Sequence, residues 1–121
     1  MTSTCSKPIL LVEDEGDVRE ALRDLLEDYG YAIVEAANGR RALEMLEGQG
    51  VDPCLVIVDL LMPVMDGFQF LREVAARPAL SALPMVVSTS APERAPRNYP
   101  VIPKPIDVRA LVNVVQKFCG G

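Results

Sequence analysis

Four polar groups interrupt apolar runs in this sequence. Glu13, Asp14 and Glu15 follow "ILLV", Asp59 follows "LVIV", Ser88, Thr89 and Ser90 follow "PMVV", and Lys104 follows "VIP". An ionised carboxylate is costly to bury unpaired, so either Asp59 marks the exit of a strand into water or a positive group meets it. Carboxylates converging at about 5 Å, with an effective dielectric near about 20, repel by about 3 kcal/mol per pair. A hard divalent cation relieves that repulsion, and oxygen-only donors without His or Cys suit Mg²⁺. Lys104 adds a compact positive charge. Asp59 then becomes a candidate nucleophile toward a phosphoryl group whose charge the metal and the lysine offset. Taken singly, each residue has a plainer reading. Acids after a strand cap the next helix, a strand-end Asp faces solvent, Thr89 is an ordinary β-branched strand residue, Lys104 is a surface lysine, and Met62 and Met65 pack. The argument rests on all of them falling, in order, at strand ends.

Short apolar runs alternate with amphipathic stretches, a pattern that predicts βα units and a parallel sheet. Strands are expected over residues 8–13, 31–36, 54–59 and 84–89, with a short fifth near Val101 and Ile102. Between them, Val18, Leu22, Leu25, Leu26 and Tyr29 form one helical stripe that stops at Gly30. Asn38 is expected to cap a helix through Ala42, Leu43 and Leu46. A further helix carries Phe68, Leu71 and Ala75 inward, and Asp107 caps a last one with Val108, Leu111, Val112 and Val115. The interval "SAPERAPRNYPVIP" holds Pro92, Pro96, Pro100 and Pro103. An interior proline costs a helix about 3 kcal/mol, so at most a turn or two is expected there. Its prolines place the fifth strand at a sheet edge. In a parallel α/β sheet the C-terminal strand ends share one edge, where ligands bind, so the four polar groups converge.

With 121 residues, half of them hydrophobic, one domain with one core is expected. A net charge of −5 argues against a nucleic-acid partner. No apolar run is long enough to span a bilayer, and "MTSTCSKP" holds no hydrophobic signal region, which predicts a cytoplasmic protein with no membrane partner. Cys5, Cys54 and Cys119 are odd in number and lack close spacing, so neither a disulfide framework nor a zinc site is expected. The chain has no histidine, which removes the usual general base and any phosphohistidine.

The motifs "ILLVEDE", "VDLLMPVMDG", "LPMVVSTSA" and "PKP" together resemble the receiver domain of bacterial two-component response regulators, over about residues 7–118. The resemblance implies a doubly wound (βα)5, flavodoxin-like fold with strand order 2-1-3-4-5. It implies that Asp59 accepts the phosphoryl group, that Glu13, Asp14, Asp59 and the backbone carbonyl of Leu61 hold Mg²⁺, and that Thr89 and Lys104 contact phosphoryl oxygens. The donor it implies is a histidine kinase or histidine phosphotransfer protein. Signalling would run through contacts with a downstream protein target, and the chain itself would not be an enzyme. Gly67 would let the loop after Asp59 turn tightly, and the Lys104–Pro105 bond is similar to one that is usually cis.

This sequence departs from the family in two places. The fourth helix, between the Thr89 and Lys104 positions, is short or absent, which puts the usual output face in doubt. Val101 stands where an inward-rotating aromatic is common, with Tyr99 at the same strand parity, so the Thr–aromatic switch is not expected. Ser88 and Ser90 are fallback candidates for the role of Thr89. Other readings are a receiver-like binding module that is not phosphorylated, a phosphatase of the haloacid dehalogenase type, and a flavodoxin-like cofactor binder. The phosphatase reading wants an acid at Leu61. The cofactor reading wants a phosphate cradle where Glu13, Asp14 and Glu15 would repel it. In the family this sequence resembles, the positions two residues after Asp59 and Thr89 influence how water reaches the phosphoryl group; Leu61 and Ala91 are apolar there, which implies slow self-dephosphorylation. Leu61→Asn is expected to shorten the lifetime of the phosphorylated form, followed by intact mass over time.

Overall fold

In a computed structural model, which describes residues 6–120, the apolar runs assemble into one parallel sheet. Its strands are β1 (Ile9–Val12), β2 (Ile33–Ala36), β3 (Leu55–Asp59), β4 (Met85–Thr89) and β5 (Val101–Pro103), in the spatial order β2-β1-β3-β4-β5. Every neighbouring pair is parallel. The central strands β1, β3 and β4 are buried throughout, as two-sided coverage by helices requires. β5 is an edge strand. The donor that Pro103 lacks would have faced the side without a neighbour.

Strand alternation divides the core between the two sheet faces. Ile9, Leu11, Leu55, Ile57 and Val86 face α1 (Gly16–Asp28) and α4 (Val108–Cys119). Leu10, Val12, Val56, Val58 and Val87 face α2 (Gly39–Glu47) and α3 (Gly67–Ala75). Among the described residues no helix is long and apolar enough to cross a membrane.

The expected helix boundaries follow from caps that the structure shows. Gly30 ends α1 with φ 91°, open to glycine without steric penalty. Asn38 accepts a hydrogen bond from Arg41 N at 2.8 Å, Asp66 from Gln69 N at 2.9 Å, and Asp107 from Arg109 N at 2.9 Å. Two inward faces need correction. In α3 the buried stripe is Gly67, Phe70, Leu71 and Val74, while Phe68 is half-buried and Ala75 exposed. Both sets have the spacing of one helix face; the buried one is offset by one residue, with Leu71 common to both. In α4, Val108 is exposed in the first turn, while Leu111, Val112 and Val115 are buried.

The proline-rich interval forms no α-helix. A single 3-10 turn, Pro92–Arg94, is followed by extended chain into β5. Ala95, Tyr99 and Val101 pack against the α2–α3 side of the core and cover the flank that a helix would otherwise close. The Lys104–Pro105 bond is cis, as expected.

The expectation that no disulfide forms is overturned among the described residues. Cys54, just before β3, is bonded to Cys119, the last residue of α4, with their Cα atoms 5.6 Å apart. Sixty-five residues separate them in sequence, so spacing gave no sign of it. They meet because α4 runs back across the sheet to the N-terminal end of β3. Cys5 lies outside the described residues. Closing so long a loop restricts the unfolded chain, so reduction is expected to lower the unfolding free energy by about 2–4 kcal/mol. Urea midpoints with and without reductant, beside Cys54→Ser, check this. Identical midpoints for the untreated and reduced protein would show that the bond contributes nothing in solution.

Candidate functional site

Glu13, Asp14, Asp59 and Lys104 converge at the C-terminal edge of the sheet, from the ends of β1, β3 and β5. One carboxylate oxygen each from Glu13, Asp14 and Asp59 lies within 4.8 Å of the others. Glu13 and Asp59 extend the alternation that puts Leu11 and Ile57 on the α1–α4 face. They are only 2% and 6% exposed. The Lys104 ammonium donates to Glu13 Oε1 at 2.7 Å and to Asp59 Oδ2 at 3.3 Å. Asp59 is therefore not a strand's exit into water: a lysine 45 residues further along the chain meets it.

Thr89 is fully buried at the end of β4. Its backbone carbonyl accepts from Lys104 N at 2.8 Å, which seats the lysine. Its hydroxyl accepts from Ala91 N at 3.0 Å and makes no hydrogen bond to Asp59 or Lys104. Ser88 is the register partner of Asp59, and its buried hydroxyl has no hydrogen-bond partner. Such an orphaned donor beside a charged cluster fits a site shaped for a group with acceptor oxygens. Ser90 is exposed. The loop "LLMPVMDG" leaves Leu61 and Val64 exposed, with Val64 in the left-handed region at φ 70°. That conformation is disfavoured for a β-branched residue and costs on the order of 1–3 kcal/mol. Leu61 N donates to Asp59 Oδ1 at 3.3 Å.

Gly67 is required here for space rather than for backbone angle. A Cβ on it would sit 2.3 Å from the Asp59 carbonyl oxygen and 2.6 Å from Leu60 Cα. Its N–H donates to the Leu60 carbonyl at 2.9 Å, so the start of α3 is drawn against the end of β3. The sequence reading missed Arg19. From the first turn of α1 it donates to the Glu13 carbonyl at 2.7 Å and to Glu35 at 3.2 Å, pinning the backbone beneath the acidic pair. The only sequence signal was a basic residue one turn into the helix that follows the acids.

Burial, reinforced by the charge of Asp59, pushes the Glu13 carboxyl up to about 7 against the pull of Lys104. Burial opposes the charged form of Lys104, yet its hydrogen bond to Glu13 and the charge of Asp59 outweigh this and raise its pKa. Three carboxylates face one ammonium, and the donors are all oxygen. That set fits a hard divalent cation.

A parallel sheet in this strand order, with clustered acids and a lysine at its C-terminal edge, defines a phospho-accepting signalling module. The response regulator receiver domain family matches residues 9–116. The chain is 34% identical over 117 residues to the response regulator receiver protein CpdR of Brucella abortus, covering 93% of this chain and 96% of CpdR. It is 36% identical over 120 residues to the sensor kinase CckA of Brucella abortus, covering 93% of this chain but 12% of the kinase. The crystal structure of the receiver domain of the hybrid histidine kinase CckA matches with a TM-score of 0.78 at 34% identity, covering 93% of this chain and 98% of that one. The chain belongs to the response regulator receiver domain family, the phosphoryl-accepting component of two-component signalling.

The Glu13 shift has a definite sign. Its pKa in the folded protein lies above the ordinary value of 4.5. The stability it contributes is complete below about 4.5 and is lost as pH rises through about 7. Without divalent metal, the protein is expected to lose stability relative to Glu13→Gln across that window, read from urea midpoints in chelator. A constant difference between the two proteins would mean that Glu13 ionises normally.

Proposed function

We propose that Asp59 is the phospho-acceptor of this receiver and that Glu13, Asp14, Asp59 and the Leu61 backbone carbonyl hold Mg²⁺. The observation that carries this reading is the cluster of Glu13, Asp14 and Asp59, two of which, Glu13 and Asp59, also meet Lys104. A carboxylate oxygen of Asp59 attacks the phosphorus of a phosphoimidazole. The P–N bond breaks, its electron pair leaves with the ring nitrogen, and an acyl phosphate forms on Asp59. Lys104 stays within reach of Asp59 and offsets the charge of the incoming group, and Ser88 or Thr89 supplies a hydroxyl. When bound, Mg²⁺ neutralises charge on the phosphoryl oxygens. Metal binding requires Glu13 deprotonated, so it competes with the proton that burial favours.

The chain acts on its own aspartate rather than as a turnover enzyme, in the cytoplasm, and residues 1–121 make up one receiver unit. Its donor is a histidine kinase or a histidine phosphotransfer protein. An apolar hollow of about 380 Å³ beside Lys104, lined by Val18, Ala21, Leu22, Pro105 and Ile106, gives such a donor a place to dock next to Asp59. The downstream target is a protein.

After incubation with acetyl phosphate and Mg²⁺, intact mass is expected to show a single phosphoryl adduct. It should vanish without Mg²⁺ and in Asp59→Asn. If neither acetyl phosphate nor beryllofluoride with Mg²⁺ binds, the non-phosphorylated binding module replaces this reading.

A further inference from the structure

The replacement of a helix by residues 92–100 leaves a groove on the flank of α3. It holds about 220 Å³, lined by Phe68, Leu71, Arg72, Ala75, Pro96 and Tyr99 among others. That is room for one aromatic or branched aliphatic side chain. Its rim is basic. Arg72 lines it from α3, Arg94 stacks over the Phe68 ring at 5.9 Å, and Arg97 lies exposed between Pro96 and Asn98.

Six of the twelve basic side chains are neutralised by a neighbour. Lys7, Arg19, Arg23, Arg41, Arg77 and Lys104 are each paired with a carboxylate. Arg72, Arg94 and Arg97, like Arg40, Arg109 and Lys117, have no carboxylate partner among the described residues, and of these six Arg72 and Arg94 border the hollow. Arg72 in the lining and Arg94 over the Phe68 ring give this hollow unpaired positive charge in a chain of net charge −5, offset in part by exposed Glu93 beside Arg94. The walls are also held in place. Pro92, Pro96 and Pro100 restrict the backbone, Arg94 N and Ala95 N close the 3-10 turn onto Ala91 and Pro92, and Ala95 and Tyr99 are anchored on the core. A preformed groove binds with little ordering of its own chain.

We propose that this groove docks an acidic segment of a partner protein, with one apolar side chain in the hollow and carboxylates on Arg72, Arg94 and Arg97. Planar guanidinium groups match carboxylates two bonds at a time. The overall negative charge disfavours nucleic acid as the occupant. None of the three arginines contacts Glu13, Asp59 or Lys104, so the proposal stands independently of the phosphoryl chemistry.

The test is a fluorescein-labelled peptide of aspartates and glutamates around a central phenylalanine, titrated by anisotropy, with amide chemical shifts of the labelled protein locating the site. Saturable binding is expected, with shifts centred on Arg72, Asn98 and Tyr99. It should weaken by at least about tenfold with added salt and in the double variant Arg94→Glu, Arg97→Glu. Both positions are exposed, and circular dichroism checks that the variant folds. Equal affinity of the variant, or of an uncharged Asn/Gln peptide, would overturn the proposal. So would self-association that the variant abolishes, which would make a second copy the occupant, or tighter binding of an oligonucleotide. Asp59 of the variant remains phosphorylatable by acetyl phosphate, so failure here leaves the receiver reading untouched.

Discussion

Three carboxylates held within 4.8 Å of one another at a sheet edge are the constraint around which this molecule is arranged. Their mutual repulsion has to be offset before the strands can close. Without metal, one ammonium does this by touching Glu13 and Asp59 together. Lys104 can reach both because β5 lies on the far side of β4 and its following residue hydrogen-bonds to the Thr89 carbonyl. Arg19 secures the other side by holding the Glu13 carbonyl and Glu35. Glu13 still favours its proton up to about 7. The site is therefore short of positive charge as it stands, which is the condition under which a divalent cation and then a phosphoryl group can be accommodated.

The βα alternation was legible because fully buried parallel strands read as apolar runs ended by polar residues. Each strand was found within about two residues of its expected limits, the uncertainty usual at element ends. The site was legible for the same reason: a charge after four apolar residues stands out. Several things were not. The buried stripe of α3 is offset by one residue from Phe68 and Ala75, and Val108 is exposed in the first turn of α4 although it is in step with Leu111, Val112 and Val115. The Cys54–Cys119 pair depended on where α4 ends in space. Arg19 acts on a backbone carbonyl, and sequence does not distinguish such an arginine from a solvated one.

Gly67 makes the tight turn after Asp59 through a missing Cβ rather than a positive φ. The distinction matters for the site. A side chain at Gly67 would push against the carbonyl of Asp59 itself, so the packing of α3 on β3 and the position of the acidic side chain are one constraint.

The prolines of residues 92–100 follow from the same economy of packing. A sheet face must be covered, yet β5 is short and at the edge, so Ala95, Tyr99 and Val101 suffice where β4 and β5 would otherwise lie bare. A helix there would have covered the flank of α3 as well. Its absence leaves Phe68 half-buried, with Arg94 across its ring. Prolines hold the extended chain close without a hydrogen-bonded ladder, so the cover is rigid though thin. The acidic edge and the arginine-bearing flank of α3 thus sit on separate parts of one fold. No residue of the acidic cluster also lines the α3 hollow, so a change at one need not disturb the other.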